Sequence, residues 1–214
     1  MKEIFKRSIS GTFYVAILWF GTSYSYTTFV FLFAILGLLS LYEMWKLRKG
    51  RAKILAFTYI LTPFLLIQLS GIMKDSNYSN ICFDSNLMLF IFILTWSFDT
   101  FAYLVGVRFG NNKIRPSISP NKSWEGFTGG FIFTIIASYI SLNYFELFNS
   151  IKHPLLISIF LPFTATIGDF IESYYKRKAG VKNSGNLIPG HGGILDRMDA
   201  FIITIPVMYI INLL

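Results

Sequence analysis

Long apolar stretches alternate with short polar connections along the chain, and this pattern predicts helices that cross a membrane. Most of the stretches are close to the length of about 20 residues that a helix needs to cross a hydrocarbon core of about 30 Å. The predicted segments are residues 10–23, 26–44, 54–72, 87–107, 127–148, 154–175 and 194–214. We therefore expect an all-α, polytopic integral membrane protein with about seven transmembrane helices.

Composition supports the membrane assignment. Hydrophobic residues make up 54% of the 214 residues and charged residues only 14%, which excludes a water-soluble globule with an ordinary surface. The single cysteine, Cys82, excludes an internal disulfide. A basic and then an apolar region open the chain as in a signal peptide, but no small-residue cleavage site follows, so we expect a retained first helix.

The positive residues predict the orientation of the segments. With seven spans, 17 of the 19 Lys and Arg residues fall on one side, and only Lys74 and Lys152 fall on the other. Because positive residues concentrate in cytoplasmic loops, we expect the amino terminus and the basic loops to be cytoplasmic. This rule accounts for the net charge of +8 without a nucleic acid partner, and it leaves an anionic lipid headgroup or a nucleotide as the expected partner.

Polar residues divide the chain into two parts. Residues 1–85 are predicted to hold about three N-terminal transmembrane helices, and residues 86–214 a catalytic transmembrane region with cytoplasmic loops at 108–126 and 176–193. At the predicted cytoplasmic end of the second helix, Glu43 and Trp45 are interpreted as interface anchors, since aromatic residues commonly lie at that depth.

Acidic residues inside the apolar segments predict a metal site. A carboxylate within a membrane segment is costly unless it is paired or binds an ion. Asp169 has Glu172 and Ser173 on the same helical face, and Asp196 and Asp199 share the first turn of the last segment. Hard oxygen ligands of this kind suit Mg²⁺ together with substrate phosphates. The predicted ligands are Asp99, Asp169, Asp196 and Asp199; the alternative for Asp99 is a structural, hydrogen-bonded carboxylate.

Basic and glycine-rich loops next to these carboxylates predict phosphate binding. The loop at 107–126 offers Lys, Arg, Ser, Asn and backbone donors, and the turn at 189–193 opens into a helix, where amide groups can bind an anion. The turn is equally compatible with a flexible hinge. The basic residues at 176–182 suit a triphosphate, although they also follow from the topology rule. Together the features indicate phosphoryl or nucleotidyl transfer at the bilayer surface.

The most specific signature lies in about 27 positions near the carboxyl end. It comprises Ser173, Lys176, Arg177, Lys182, Gly185, Ile188, Pro189, His191, Gly192, Gly193, Ile194, Asp196, Arg197, Met198 and Asp199. This run closely resembles the signature of the phosphatidate cytidylyltransferases, also called CDP-diacylglycerol synthases. A second region of resemblance comprises Asp99, Ala102, Tyr103, Gly106, Phe109, Gly110 and residues 119–126. The first ninety residues resemble the family only in general character.

The resemblance implies that CTP and phosphatidate are converted to CDP-diacylglycerol and pyrophosphate on the cytoplasmic side of a bacterial inner membrane. It implies Mg²⁺ as cofactor, and it allows a second cation such as K⁺ and a homodimer. The expected catalytic residues are Asp169, Asp196, Asp199, Lys176 and Arg197. The expected substrate contacts are Ser119, Lys122, Ser173, Arg177, Lys182, His191, Gly192 and Gly193.

Four positions depart from the family pattern. Asn183 stands where the family usually has Asp, Tyr175 replaces an aliphatic residue or Phe, and Asn121 and Ser123 replace Lys and Thr. The chain is also short for the family. Two related enzymes are alternatives, a CTP-dependent polyprenol kinase and a CDP-archaeol synthase. A cation transporter, from a different class, would also keep aspartates such as Asp99 and Asp169 within the membrane.

Overall fold

Seven α-helices form the framework of the part of the chain that the structure describes. The computed structural model describes residues 2–47, 53–74, 81–188, 190 and 192–213. The helices are α1 (Lys2–Ser23), α2 (Tyr26–Leu47), α3 (Lys53–Ser70), α4 (Asn86–Phe109), α5 (Trp124–Tyr144), α6 (Pro154–Ala179) and α7 (Leu195–Leu213). The all-α prediction is confirmed, and each predicted apolar segment corresponds to one of these helices.

Four of these helices are long and apolar enough to cross a membrane by length and composition, namely α2, α4, α5 and α6. Shorter apolar helices extend over Ile9–Ser23 and Ile54–Ser70 within α1 and α3. Many large apolar side chains point outward, including Phe13, Phe20 and Phe31. An outward apolar surface of this extent is what lipid contact requires, and it agrees with a membrane protein.

Two short antiparallel strand pairs lie between helices in the described part of the chain. Strands β1 (Ile72–Lys74) and β2 (Ile81–Phe83) pair between α3 and α4. Strands β3 (Lys113–Arg115) and β4 (Ser119–Ser123) pair between α4 and α5, with an irregular register. The loop predicted at 108–126 is therefore partly an ordered hairpin. A short 3-10 helix, Glu146–Ser150, links α5 to α6.

Local sequence signals account for several helix boundaries. Ser123 caps α5 by accepting a hydrogen bond from the amide of Gly126 at 3.2 Å. Pro154 opens α6, where its missing N–H group has no intrahelical partner to lose, and Gly180 ends that helix with a φ of 73°. α3 continues through Pro63.

The helices pack as hairpins around an apolar core. α4 packs along α5, α6 packs along α7, and α3 packs against α2 and α7. Phe33, Phe92 and Phe201 lie in the core, where Phe92 contacts both other rings. The sequence predicts which ends of α2, α4, α6 and α7 are cytoplasmic, and in this arrangement those ends lie toward a common region. The polar residues of the signature lie there.

A candidate carboxylate and phosphate site

A close crossing of α6 and α7 brings three carboxylates together. A side-chain carbon at Gly168 would collide with the backbone carbonyl oxygen of Asp199, so the two helices approach this closely because glycine stands there. One oxygen from each of Asp169, Glu172 and Asp199 lies within 4.8 Å of the others. We call these three residues the carboxylate cluster.

The carboxylate cluster fits a hard divalent cation. Glu172 is buried, and its Oε1 has no hydrogen-bond partner among the described residues. A buried carboxylate oxygen without a partner is costly, and coordination of a cation removes that cost. Three carboxylates without sulfur or imidazole ligands are the donor set that Mg²⁺ prefers.

The cluster differs from the ligand set that the sequence predicted. Asp169 and Asp199 belong to it, but Asp99 and Asp196 lie outside it, and Glu172 takes part instead. Glu172 was recognised on the same helical face as Asp169 but was not predicted as a ligand. The i, i+3 spacing was the available signal.

Lys176 joins the cluster to Asp196. Its ammonium group forms an ion pair with Glu172 one turn earlier in α6. It also donates to Oδ1 of Asp196 in α7 at 2.7 Å. The Lys176 side chain is only 11% exposed, so these charges are held away from solvent. Losing one partner from such a buried set leaves an uncompensated charge.

Asp196 already has its oxygens occupied by donors of the protein. Its Oδ2 accepts hydrogen bonds from the amides of Ser184 and Gly193, both at 2.8 Å. Its Oδ1 accepts from Lys176. These contacts explain why Asp196 lies outside the carboxylate cluster. They also direct the Gly193 amide to Asp196, whereas the sequence predicted that this turn would offer its amides to an anion.

Glu43 is the functional candidate that the sequence interpretation missed. It was interpreted as an interface anchor, but its side chain is 2% exposed and contacts the loop before α7. Its carboxylate accepts hydrogen bonds from the amides of Ile194 and Leu195 and from the hydroxyl of Ser184. Only the cost of an acidic residue near the end of an apolar helix signalled this role.

Lys122, in strand β4, connects the hairpin before α5 to the carboxylate cluster. It forms an ion pair with Asp169 and lies 5.2 Å from the ring of Phe170. Ser173, predicted as a substrate contact, donates to Oδ1 of Asp169 at 3.3 Å. Lys122 and Asp169 therefore meet at the same point.

A cavity of about 180 Å³ adjoins this ion pair. It lies between α4, β4, α5 and α6, and its polar lining includes Asp99, Asn121, Lys122 and Asp169. Its apolar lining includes Phe98 and Phe127. A second cavity of about 420 Å³ borders Asp99 from the α1 side and includes Tyr14 and Arg197. Asp99 thus lines both cavities and shares the first with Asp169, although it is not one of the three residues of the carboxylate cluster.

The remaining predicted substrate contacts lie on the β3–β4 hairpin, near the end of α6 and on the loop before α7. Ser119 is in β4, and Arg177 donates to the carbonyl oxygen of Ile118 at 3.5 Å, which places both near the β3–β4 hairpin. Lys182 is exposed on the loop between α6 and α7. Gly192 is buried next to Asp196. His191 and Pro189 lie outside the described residues.

Several known proteins are similar in sequence to this chain. A phosphatidate cytidylyltransferase from Rickettsia typhi is 37% identical over 228 residues, covering 99% of this chain and 93% of that relative. The phosphatidate cytidylyltransferase from Rickettsia felis is 33% identical and covers 100% of this chain and 94% of the relative. The one from Bacillus subtilis is 44% identical over 121 residues, which are 55% of this chain and 44% of that relative.

A family model provides a second, independent comparison. The model of the cytidylyltransferase family matches residues 54–214, a region that contains the carboxylate cluster, Lys122 and Lys176. This match covers well over half of the chain. The chain therefore belongs to the cytidylyltransferase family.

Proposed function

We infer that this protein is a phosphatidate cytidylyltransferase, which transfers the cytidylyl group of CTP to the phosphate of phosphatidate. The observation that carries this conclusion is the placement of the carboxylate cluster directly beside Lys122 and Lys176 in a member of the cytidylyltransferase family. Relatives matched over nearly their whole length bear the same name.

In the reaction, a phosphate oxygen of phosphatidate forms a bond to the α-phosphorus of CTP. The bond from that phosphorus to the oxygen bridging the α- and β-phosphates breaks, and pyrophosphate leaves with both bonding electrons. No nucleophile from the protein is required. The task of the protein is to hold two anionic substrates in line and to stabilise the charge that moves onto the leaving group.

The positive side chains of the site suit this task. Lys122 projects into the cavity between α4 and α6, where a lipid phosphate would meet its ammonium group beside Asp169. Lys176 contacts α7, Arg197 belongs to the first turn of α7, and Arg177 lies near the hairpin. We assign Lys122 to the lipid phosphate and the other three to the phosphates of CTP.

Mg²⁺ would be held by Asp169, Glu172 and Asp199. When bound, it neutralises charge on the transferring group and on the leaving pyrophosphate. Lys176 keeps Glu172 oriented toward α7 through their ion pair, and Asp196 holds Lys176 from the other side. We therefore place Asp196 as the residue that positions Lys176, and Asp99 as a polar wall of the cavity.

The membrane placement is proposed from the charge pattern. We propose seven spans with the amino terminus in the cytoplasm of a bacterial cell, because 17 of 19 Lys and Arg residues then face the cytoplasm. The site then lies on the cytoplasmic side, where CTP is made. The division into an N-terminal part, residues 1–85, and a catalytic part, residues 86–214, is proposed on the same basis.

The test is an assay of the purified protein with labelled CTP, phosphatidate and Mg²⁺. We expect a lipid product that carries cytidine, with release of pyrophosphate. A lipid that gains only a phosphate would identify a kinase instead. An archaeol phosphate offered in competition distinguishes the CDP-archaeol synthase, and flux of cations without CTP would support a transporter. Absence of any cytidine-bearing lipid overturns the proposal.

A further inference from the structure

A network of polar contacts extends from α2 to the carboxylate cluster. It begins at Glu43, whose Oε2 accepts a hydrogen bond from the Ser184 hydroxyl at 2.6 Å. Ser184 in turn donates its amide to Asp196 at 2.8 Å. Asp196 binds Lys176, which forms the ion pair with Glu172. A carboxylate of the second helix is thus connected to the cluster through three intermediate residues.

Glu43 also accepts hydrogen bonds from amides at the start of α7 that have no partner within the helix. The first N–H groups of a helix have no intrahelical partner. Here the amide of Ile194 donates to Oε1 of Glu43 at 3.1 Å, and that of Leu195 donates to Oε2 at 2.9 Å. The amide of Asp196 donates to Ser184 at 3.3 Å. A carboxylate at this end of a helix also interacts favourably with the helix dipole.

Two glycines of the loop before α7 lie close to the carboxylate of Glu43. A side-chain carbon at Gly185 or at Gly193 would collide with the carboxylate of Glu43. Both glycines therefore lie against the Glu43 carboxylate. A purely interfacial anchor would not require this fit, because its polar end would lie toward solvent.

We propose that Glu43 is a positioning residue for cytidylyl transfer, which fixes Ser184, Gly193, Ile194 and the first turn of α7 so that Asp196 and Lys176 are held against Glu172. It lies before residue 54, where the match to the family model begins, so this assignment goes beyond the region that identifies the family. The kinetic part of the proposal rests on the proposed function, and the structural part does not.

The central variant is Glu43→Gln, which preserves shape and removes one acceptor oxygen and the charge. Its amide group would have to face at least one of the N–H donors of Ile194 and Leu195. Ser40→Ala is the matched control, because Ser40 is buried in the same helix and its hydroxyl has no hydrogen-bond partner among the described residues. Glu43→Asp keeps the charge but shortens the reach.

Two measurements are made on the full-length protein in detergent. The first is kcat and KM for CTP. The second is the rate of tryptic cleavage after Lys182, which lies on the loop, compared with cleavage after Lys113, an exposed residue of the β3–β4 hairpin. Proteolysis reports the fixing of the loop without depending on activity. Cleavage after Lys113 corrects for any general loss of folding.

We expect Glu43→Gln to lower kcat about 10- to 100-fold, as supporting residues around such sites typically do. Cleavage after Lys182 becomes faster, whereas cleavage after Lys113 stays unchanged. Glu43→Asp recovers part of kcat, and Ser40→Ala resembles the native protein. Ser184→Ala lowers kcat as well. The double variant with Glu43→Gln lowers kcat by a smaller factor than the product of the two single reductions, because both residues act through one network.

Native kcat and native Lys182 cleavage in Glu43→Gln would overturn the proposal. So would a variant that yields less folded protein but has full kcat per folded molecule, because that result indicates a role in stability alone. If Glu43→Gln does not fold, Ser184→Ala decides by the same two measurements. If the native protein forms no cytidine-bearing lipid, the proposed function fails, and unaltered cleavage after Lys182 would then reject the positioning role separately.

Discussion

Lys176 in α6 donates to Oδ1 of Asp196 in α7 across a distance of 2.7 Å. This contact joins the two helices that carry the carboxylate cluster. Because Lys176 also pairs with Glu172, one ammonium group balances two buried carboxylates. The relationship makes Lys176 a structural support of the site as well as an expected phosphate contact.

Replacing Lys176 by Met should therefore affect both stability and activity. Removing one partner from a buried ionic set typically costs about 3–5 kcal/mol, and the phosphate contact is lost as well. We expect near-complete loss of turnover and a lower midpoint of thermal unfolding in detergent. Lys178→Met is the control, since Lys178 is exposed on the same helix and lies over the ring of Tyr174. Equal effects of the two substitutions would contradict the assignment.

Asp196→Asn should abolish CTP-dependent turnover while the protein still inserts into the membrane. Asparagine has an NH₂ group in place of one carboxylate oxygen. That NH₂ group would face either Lys176 or the amides of Ser184 and Gly193, all of which are hydrogen-bond donors. Turnover and the amount of protein in the membrane fraction are measured together. Asp84→Asn is the matched control. Asp84 lies just before α4, and its carboxylate accepts a hydrogen bond from the amide of Asn86, the first residue of that helix. Full activity of Asp196→Asn would remove this residue from the site.

Asp199→Asn should weaken the binding of divalent cations. Asp199 contributes one of the three carboxylates of the cluster, and its Oδ1 accepts only a local hydrogen bond from the amide of Ala200 among the contacts described here. We expect the Mg²⁺ concentration for half-maximal activity to rise at least about tenfold. Direct titration with Mn²⁺, followed by electron paramagnetic resonance, should give the same shift. Glu146→Gln, at an exposed position of the 3-10 helix, should leave both values unchanged.

Lys122→Ala should raise KM for phosphatidate more than KM for CTP. Lys122 lies at the cavity that we assign to the lipid phosphate, and a hydrogen bond to a charged group contributes about 1.5–3 kcal/mol. A rise of about tenfold or more in KM for phosphatidate is expected. Lys113→Ala in the same hairpin provides the control, because it removes an equal charge from an exposed position. A larger effect on CTP would reassign Lys122 to the nucleotide.

Asn183→Asp should be tolerated or should increase turnover. Asn183 stands where the family pattern usually has Asp, and it is exposed on the loop between α6 and α7. An exposed carboxylate there carries little desolvation cost. Steady-state kinetics of the variant provide the measurement. An inactive enzyme would indicate that the site depends on Asn at this position.

The positions and lengths of the apolar segments along the chain were sufficient to predict the helices and most of their ends. Length and hydrophobicity determine whether a segment can satisfy its backbone hydrogen bonds within lipid, and both are local properties. Local spacing also predicted that Asp169 and Glu172 share a face of α6, since residues three apart lie together on a helix.

Only the tertiary structure decided which polar side chains meet. Asp196 and Asp199 look equivalent in the sequence, yet one binds Lys176 and the other joins the carboxylate cluster. Glu43 looks like an interface residue, yet it binds the start of a helix about 150 positions later in the chain. Such contacts depend on how α2, α6 and α7 cross, and that crossing is set by close packing at positions such as Gly168. A pattern along one segment contains no information about the partner that another segment supplies.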